Sequence, residues 1–186
     1  MASKIEVDEI MNAGGDNDSG IDLATNDAVK IKIANAVKAE VDSSGHVKLD
    51  TVKGYTSAAS ISVVGEGGST TTNLQQGLSK AWINFNGSGT IATRDSFNIS
   101  GNTDNSAGNY TPAYTNDFSN NDYTFNVTCA NFSSGNSTYV HMFWIASDAL
   151  ATGNTNLNTL YVNGTTGGGA AVDSDLVMLQ FDGDLA

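Results

Sequence analysis

The sequence predicts an all-β protein, and three observations carry that prediction. Twenty Gly stand against a single Pro, and Asn, Ser and Thr are abundant while Glu and Lys are few, a balance that disfavours helix and suits short strands joined by turns. Apolar residues recur with a period of two in one short stretch after another, the spacing of strands with one covered face. Both Trp, all seven Phe and five of the six Tyr lie beyond residue 80, so the carboxy-terminal part is where a sandwich or jelly-roll core can form.

Taken in order, residues 3–10 (SKIEVDEI) alternate as a strand with Ile5 and Val7 on one side, and residues 12–20 (NAGGDNDSG) form a turn cluster. Three short alternating pieces follow: Val29 to Ile33, Val37 to Val41, and Val47 to Asp50. Each has one narrow apolar row and one charged row. Residues 1–54 made of such pieces bury too little to stand alone, since chains below ~60 residues are marginal even with a proper core. Further copies of the same chain wound about an axis would bring identical rows together. The expected contacts are Val29, Ile31, Ile33, Val37 and Val41, and the expected assembly is a homotrimer with a slender amino-terminal stalk or attachment region.

Residues 55–72, rich in Gly, Ser and Thr, read as a linker with one short strand at 60–64. Residues 73–186 read as the head domain. Leu74 and Leu78 suit a single helical turn. Ala81, Ile83 and Phe85 then alternate with Trp82, Asn84 and Asn86, and Asn86-Gly87-Ser88-Gly89 supplies a tight turn into a second strand over 90–100, giving a β-hairpin. Further strands are expected at 122–132, 137–147, 158–163 and 175–181, with a flexible loop at 164–171. The strand 137–147 is apolar on both faces, which requires cover on both. One side is expected in the protomer's own core, and Tyr139, His141 and Phe143 are assigned to contact with a neighbouring subunit. Residues 101–121 read as a Gly- and Asn-rich loop.

Charge narrows the partners. The net charge is -12; residues 1–94 carry -3 and residues 95–186 carry -9 with no base at all. Such a surface repels a phosphate backbone, so nucleic acid is not an expected partner. The lone Cys129 has no partner for a disulfide within the chain and reads as a buried strand thiol. No leader and no apolar run approaching ~18 residues is present, so the expectation is a protein made in a cytoplasm without membrane insertion.

Motifs for chemistry are weak. Asp16-Asn17-Asp18-Ser19-Gly20 opens like a calcium loop, yet the sixth and twelfth positions are Ile21 and Asp27, which fails the spacing and leaves an acidic turn. His46 and His141 have no ligand partners at metal spacing. A G-x-S-x-G elbow is absent, and although paired carboxylates among nine Asp are conceivable, the chain is short for a polysaccharide-cleaving fibre. Neither enzyme activity nor a cofactor or metal is expected. Matches to the glycosylation pattern at Asn98, Asn126 and Asn136 arise by chance in so Asn-rich a chain. Tyr110, Tyr114 and Phe118 either cap the domain's own core or a subunit seam, the preferred reading, or stack on sugars; with Asp117, Tyr110 and Tyr114 form the candidate host contact.

The run LQQGLSKAW, then INFNGSGTIATRDSFNIS, TDNSAGNYT and the chain end FDGDLA resemble small tail-fibre-like virion structural proteins of tailed phages, many of them from marine hosts. The resemblance covers roughly residues 74–130 and the last six, with GIDLATNDAVKIKIAN matching more loosely. Pro112, the polar run 115–121 and the extra Asp182 depart from the family pattern, and the first two point to a loop where the family has strand. The resemblance implies a place in the virion, with other virion proteins bound through the amino-terminal region and host-surface polysaccharide as a further partner. The leading expectation is a short homotrimeric tail fibre or spike. A capsid or collar decoration protein and a carbohydrate-binding adhesin are the alternatives.

Overall fold

The computed structural model describes residues 8–11, 19–24, 28–55, 57, 60–65, 67–131, 139–145, 149–164 and 167–186. Residues 3–7, most of the turn cluster 12–18, Asp27, Asn136 and the side chain of Tyr139 therefore lie outside the described residues. The described residues form strands and turns and no helix. The chain divides into two compact units, residues 1–58 and 59–186, so the boundary falls inside the stretch expected to be a linker.

The amino-terminal unit is a single antiparallel sheet of five strands in chain order, β1 (Glu9–Met11), β2 (Gly20–Asp22), β3 (Val29–Ile33), β4 (Ala36–Val41) and β5 (Val47–Lys48). The β3–β4 hairpin closes through Ala34 and Asn35, both at positive φ (53° and 57°), the primed-turn conformation that matches strand twist. The turn after β4 is held by Asp42, whose carboxylate accepts the amides of Ser44 and His46 at 2.9 and 3.0 Å.

In the second unit, β6 (Ser62–Val64) pairs with β7 (Thr71–Asn73) as a separate hairpin, which occupies the predicted linker. A single turn follows, with the Asn73 side chain accepting the amides of Gln75 and Gln76 at 2.8 and 3.1 Å. The remainder is a sandwich of two antiparallel sheets. One has four strands in the order β12 (Thr124–Ala130), β18 (Leu176–Asp182), β8 (Ala81–Asn86), β9 (Ala92–Phe97). The other has seven: β13 (Tyr139–Trp144), β16 (Leu157–Asn163), β11 (Asn109–Tyr114), β15 (Asn154–Thr155) and β14 (Leu150–Ala151) run in that order, with β10 (Ile99–Ser106) on β11 and β17 (Gly169–Ala171) on β16.

The alternation that predicted β8 holds residue by residue: Ala81, Ile83 and Phe85 are buried and Trp82, Asn84 and Asn86 are turned outward. They meet Val177, Leu179 and Phe181 of β18 within the sheet, and Tyr110, Tyr114 and Leu157 of the facing sheet, in one core with Phe118 and Tyr123. Aromatic packing there is mainly edge-to-face, as with Phe85 and Tyr110 at 5.1 Å and Tyr114 and Phe181 at 5.3 Å.

Two expectations are corrected. The strand over 90–100 is two strands, because Asn98 at φ 57° breaks it and passes the chain from the four-stranded sheet to the other. The Asn98 side chain secures that corner, its amide donating to the carbonyls of Lys80 and Asn116 at 3.0 Å each and its oxygen accepting the Asn116 amide at 2.8 Å. Residues 101–121 are not a loop through most of their length, since β10 and β11 form a hairpin there. Polar residues misled the reading because β10 sits at a sheet edge and needs few apolar contacts, while Pro112 is accommodated although it has no amide hydrogen to donate.

Candidate functional site

A run of exposed large apolar side chains lies on the amino-terminal sheet. Directly paired residues point to the same face, and the register places Ile10, Ile21, Ile31 and Ala39 in one row and Val29, Val41 and Val47 in another. From Ile21 at 39% exposed to Val47 at 66%, the large members of these rows, with Ile33, remain open. A single layer has nothing of its own to lay over them.

The opposite face carries the charges. Lys32 Nζ lies 2.6 Å from Asp22 Oδ2 and 3.2 Å from Glu9 Oε1, and Lys48 Nζ lies 2.9 Å from Glu40 Oε1 and 3.1 Å from Asp42 Oδ2. The hydrogen bond from Lys32 and the Ala24 amide hold the Asp22 carboxyl below the usual range, while Asp22 and then Glu9 raise Lys32. Asp42 is lowered by the His46 amide and by Lys48, and Lys48 is raised by Glu40 and Asp42. The sheet is thus sorted into one ion-paired face and one apolar face. Val37 departs from its expected row, because the register shift between Ile31 and Lys32 sets it opposite Lys32.

No family model, curated protein or solved structure matches this chain. Its own surfaces are what point to a function.

The second open apolar surface is β13. Val140, Met142 and Trp144 are 56%, 48% and 51% exposed. The expectation that this strand is buried on both faces does not hold within one chain. On the other row His141 and Phe143 are turned toward β12, although Phe143 remains 41% exposed. Phe143 meets Phe125 edge-on at 6.2 Å, and both ring nitrogens of His141 are buried with no hydrogen-bond partner. A recess of about 300 Å³ lies between β12 and β13, lined by Val127, Thr128, Cys129, His141, Met142 and Phe143. Burial raises the Cys129 thiol, in keeping with a strand thiol and not with an activated nucleophile. The most open residues of β13 are therefore Val140, Met142 and Trp144, while Phe143, from the row assigned to a neighbouring subunit, also stays partly open.

The candidate host-contact residues do not share a surface. Tyr110 and Tyr114 lie on the inward row of β11 and are buried. The Tyr110 hydroxyl donates to Asp173 Oδ1 at 3.0 Å, and burial followed by the nearby Asp173 charge raises its pKa. The Tyr114 hydroxyl lies 2.5 Å from Thr155 Oγ1 and is likewise raised by burial. Phe118 is buried as well. Asp117 is exposed, and its backbone carbonyl accepts the Ala186 amide at 2.9 Å. Once residues 109–114 are a strand, alternation alone commits these rings to the core. Among the described residues no group of three or more His, Cys, Asp or Glu is placed to hold a metal ion. Sequence reasoning passed over the outward row of β8, where Trp82 stands among polar residues; a Trp at a polar position of an alternating strand was the available signal.

Proposed function

We propose that the protein is a non-enzymatic structural component of a virion, a short homotrimeric fibre or spike that assembles through its amino-terminal sheet and attaches there to other virion proteins. The observation that carries the self-assembly is the uncovered face of Ile10, Ile21, Val29, Ile31, Val41 and Val47, backed by an ion-paired face that is already satisfied. Copies related by an axis lay identical apolar rows against one another, and each half-exposed Ile or Val so covered contributes roughly 1 kcal/mol. The exposed row of β13 offers a second seam in the carboxy-terminal unit. The virion setting is supported by the sequence resemblance over residues 74–130 and the last six.

The test is incorporation. Particles of a phage encoding this chain should contain it in multiples of three, and a chain carrying Ile31→Asp should be absent from them, because the substitution places a charge where apolar rows converge. Particles that contain the wild-type chain in another multiple, or that take up Ile31→Asp normally, would overturn the proposal.

A further inference from the structure

We propose that the outward face of the four-stranded sheet is a binding platform for a neutral polysaccharide, centred on Trp82. The inward residues of β8 and β18 are buried, which commits the alternate residues to the outside. The register arranges those in two rows across the strands. Phe97, Trp82, Gln180 and Asn126 make one, and Asp95, Asn84, Met178 and Thr128 make the other. Three strand spacings of ~4.8 Å give each row a length of about 14 Å, the reach of a short run of linked sugar rings. An open hollow of about 380 Å³ passes over Trp82, Asn84, Asn126, Thr128, Met178 and Gln180.

The chemistry of that hollow fits a sugar better than it fits a protein core. A pyranose presents an apolar C–H face that packs on an aromatic ring, and hydroxyls that pair with amides able both to donate and to accept. Phe97 is 52% exposed beside Trp82. Among the described residues no hydrogen bond engages the side chains of Trp82, Asn126 or Thr128, so they stand ready for a ligand. An apolar protein surface laid here would strand the Trp82 indole N–H, the Asn126 amide and the Thr128 hydroxyl at about 1–3 kcal/mol each. A second copy of this chain is therefore the poorer occupant.

Charge fixes the class of polysaccharide. Arg94 is the last base in the sequence, and its guanidinium is already engaged by Asn84 Oδ1 at 3.1 Å and the Asp175 carbonyl at 2.5 Å. Asp95 borders the platform, and the net charge of residues 95–186 is -9. That field repels acidic polymers and leaves neutral ones unaffected. The proposal goes beyond the assembly reading and does not rest on it, although several copies on one particle would raise the apparent affinity through effective concentration.

Affinity electrophoresis of the full chain through gels containing dextran, a linear β-glucan or a mannan tests it, with dextran sulfate as the acidic counterpart. At least one neutral polymer should retard the protein and dextran sulfate should not. Trp82→Ala should weaken that retardation at least tenfold. Asn126→Ala, which removes a side chain with no hydrogen bond to lose, should weaken it several-fold. In a Trp144→Phe chain, Trp82 is the sole indole, and its fluorescence should shift on addition of the retarding polymer. The proposal is overturned if no neutral polymer retards the protein, if retardation survives both substitutions, or if Trp82 in the sugar-free Trp144→Phe chain is shielded from acrylamide, which would mean that another chain covers the face.

Discussion

Replacing Gly108 with Ala should cost the protein far more than replacing Gly89 with Ala, although both glycines sit at φ 69°. An alanine at that angle costs about 1–2 kcal/mol wherever it is placed. At Gly89 nothing lies within 4 Å of the added Cβ, so the conformational cost is the whole effect. At Gly108 the Cβ would stand 2.4 Å from the Thr159 carbonyl oxygen and 2.8 Å from the Val172 amide nitrogen. Both are backbone atoms and cannot swing aside. Moving the turn away strains the bonds that key the β10–β11 hairpin into the sandwich: Thr159 N–H to the Gly108 carbonyl and Gly108 N–H to Asp173 Oδ1, each 2.7 Å. Losing one of these adds about 1–3 kcal/mol, so Gly108→Ala should reach roughly 2–5 kcal/mol against 1–2 for Gly89→Ala. Urea unfolding followed by Trp fluorescence reports on the right unit, because Trp82 and Trp144 both lie within residues 59–186. Equal midpoint shifts for the two substitutions at unchanged m would refute the packing argument.

Three further outcomes follow from the same geometry. Thr155→Val keeps the side-chain shape but removes the hydroxyl that lies 2.5 Å from Tyr114 Oη and 2.6 Å from Tyr123 Oη; calorimetry should show a loss of about 1–3 kcal/mol, and no loss would mean that the buried hydroxyls find other partners. Asn98→Ala should destabilise more than Asn98→Gly, since both lose the corner's hydrogen bonds but only Ala keeps the strain of φ 57°; the reverse ranking in urea would count against that account. Asp22 and Asp42 titrate below their ordinary value of 3.8 when folded, so the stability they lend is present above that pH and is lost as pH falls through their lowered values. Amide exchange within residues 28–48 should accelerate, relative to its intrinsic rate, between pH 5 and pH 3, and Lys32→Met should diminish the change.

Much of the fold was legible because period-two alternation is a strong signal wherever one face is buried. β8, β12, β16 and β18 fall within a residue or two of their expected bounds for that reason. The signal fails where burial does not set the pattern. β10 lies at an edge and reads as loop, and the two-residue strands β14 and β15 are too short to show a period. β2 is set by pairing with β1 and β3 on either side. Asn98 shows a different limit: a polar residue between Phe97 and Ile99 looks like ordinary alternation, and only its positive φ and its partners Lys80 and Asn116 reveal a corner. Of the amino-terminal apolar face, Val29, Ile31, Ile33 and Val41 were legible, Val37 was displaced by a register shift, and Ile10 and Ile21 join it only through the pairing of β1, β2 and β3. Tyr110 and Tyr114 do join the core, as the preferred reading had it, and their use as a host contact fails because the hairpin that buries them was not recognised.

Sedimentation equilibrium of the full chain at micromolar concentration tests the central claim most directly. Three times the chain mass of 19.3 kDa is the predicted result, with Ile31→Asp returning the mass toward that of one chain. A wild-type monomer whose residues 28–48 are nonetheless protected from amide exchange would contradict the account, because it would show the exposed face of Ile21, Ile31 and Val41 to be stable without any copy to cover it.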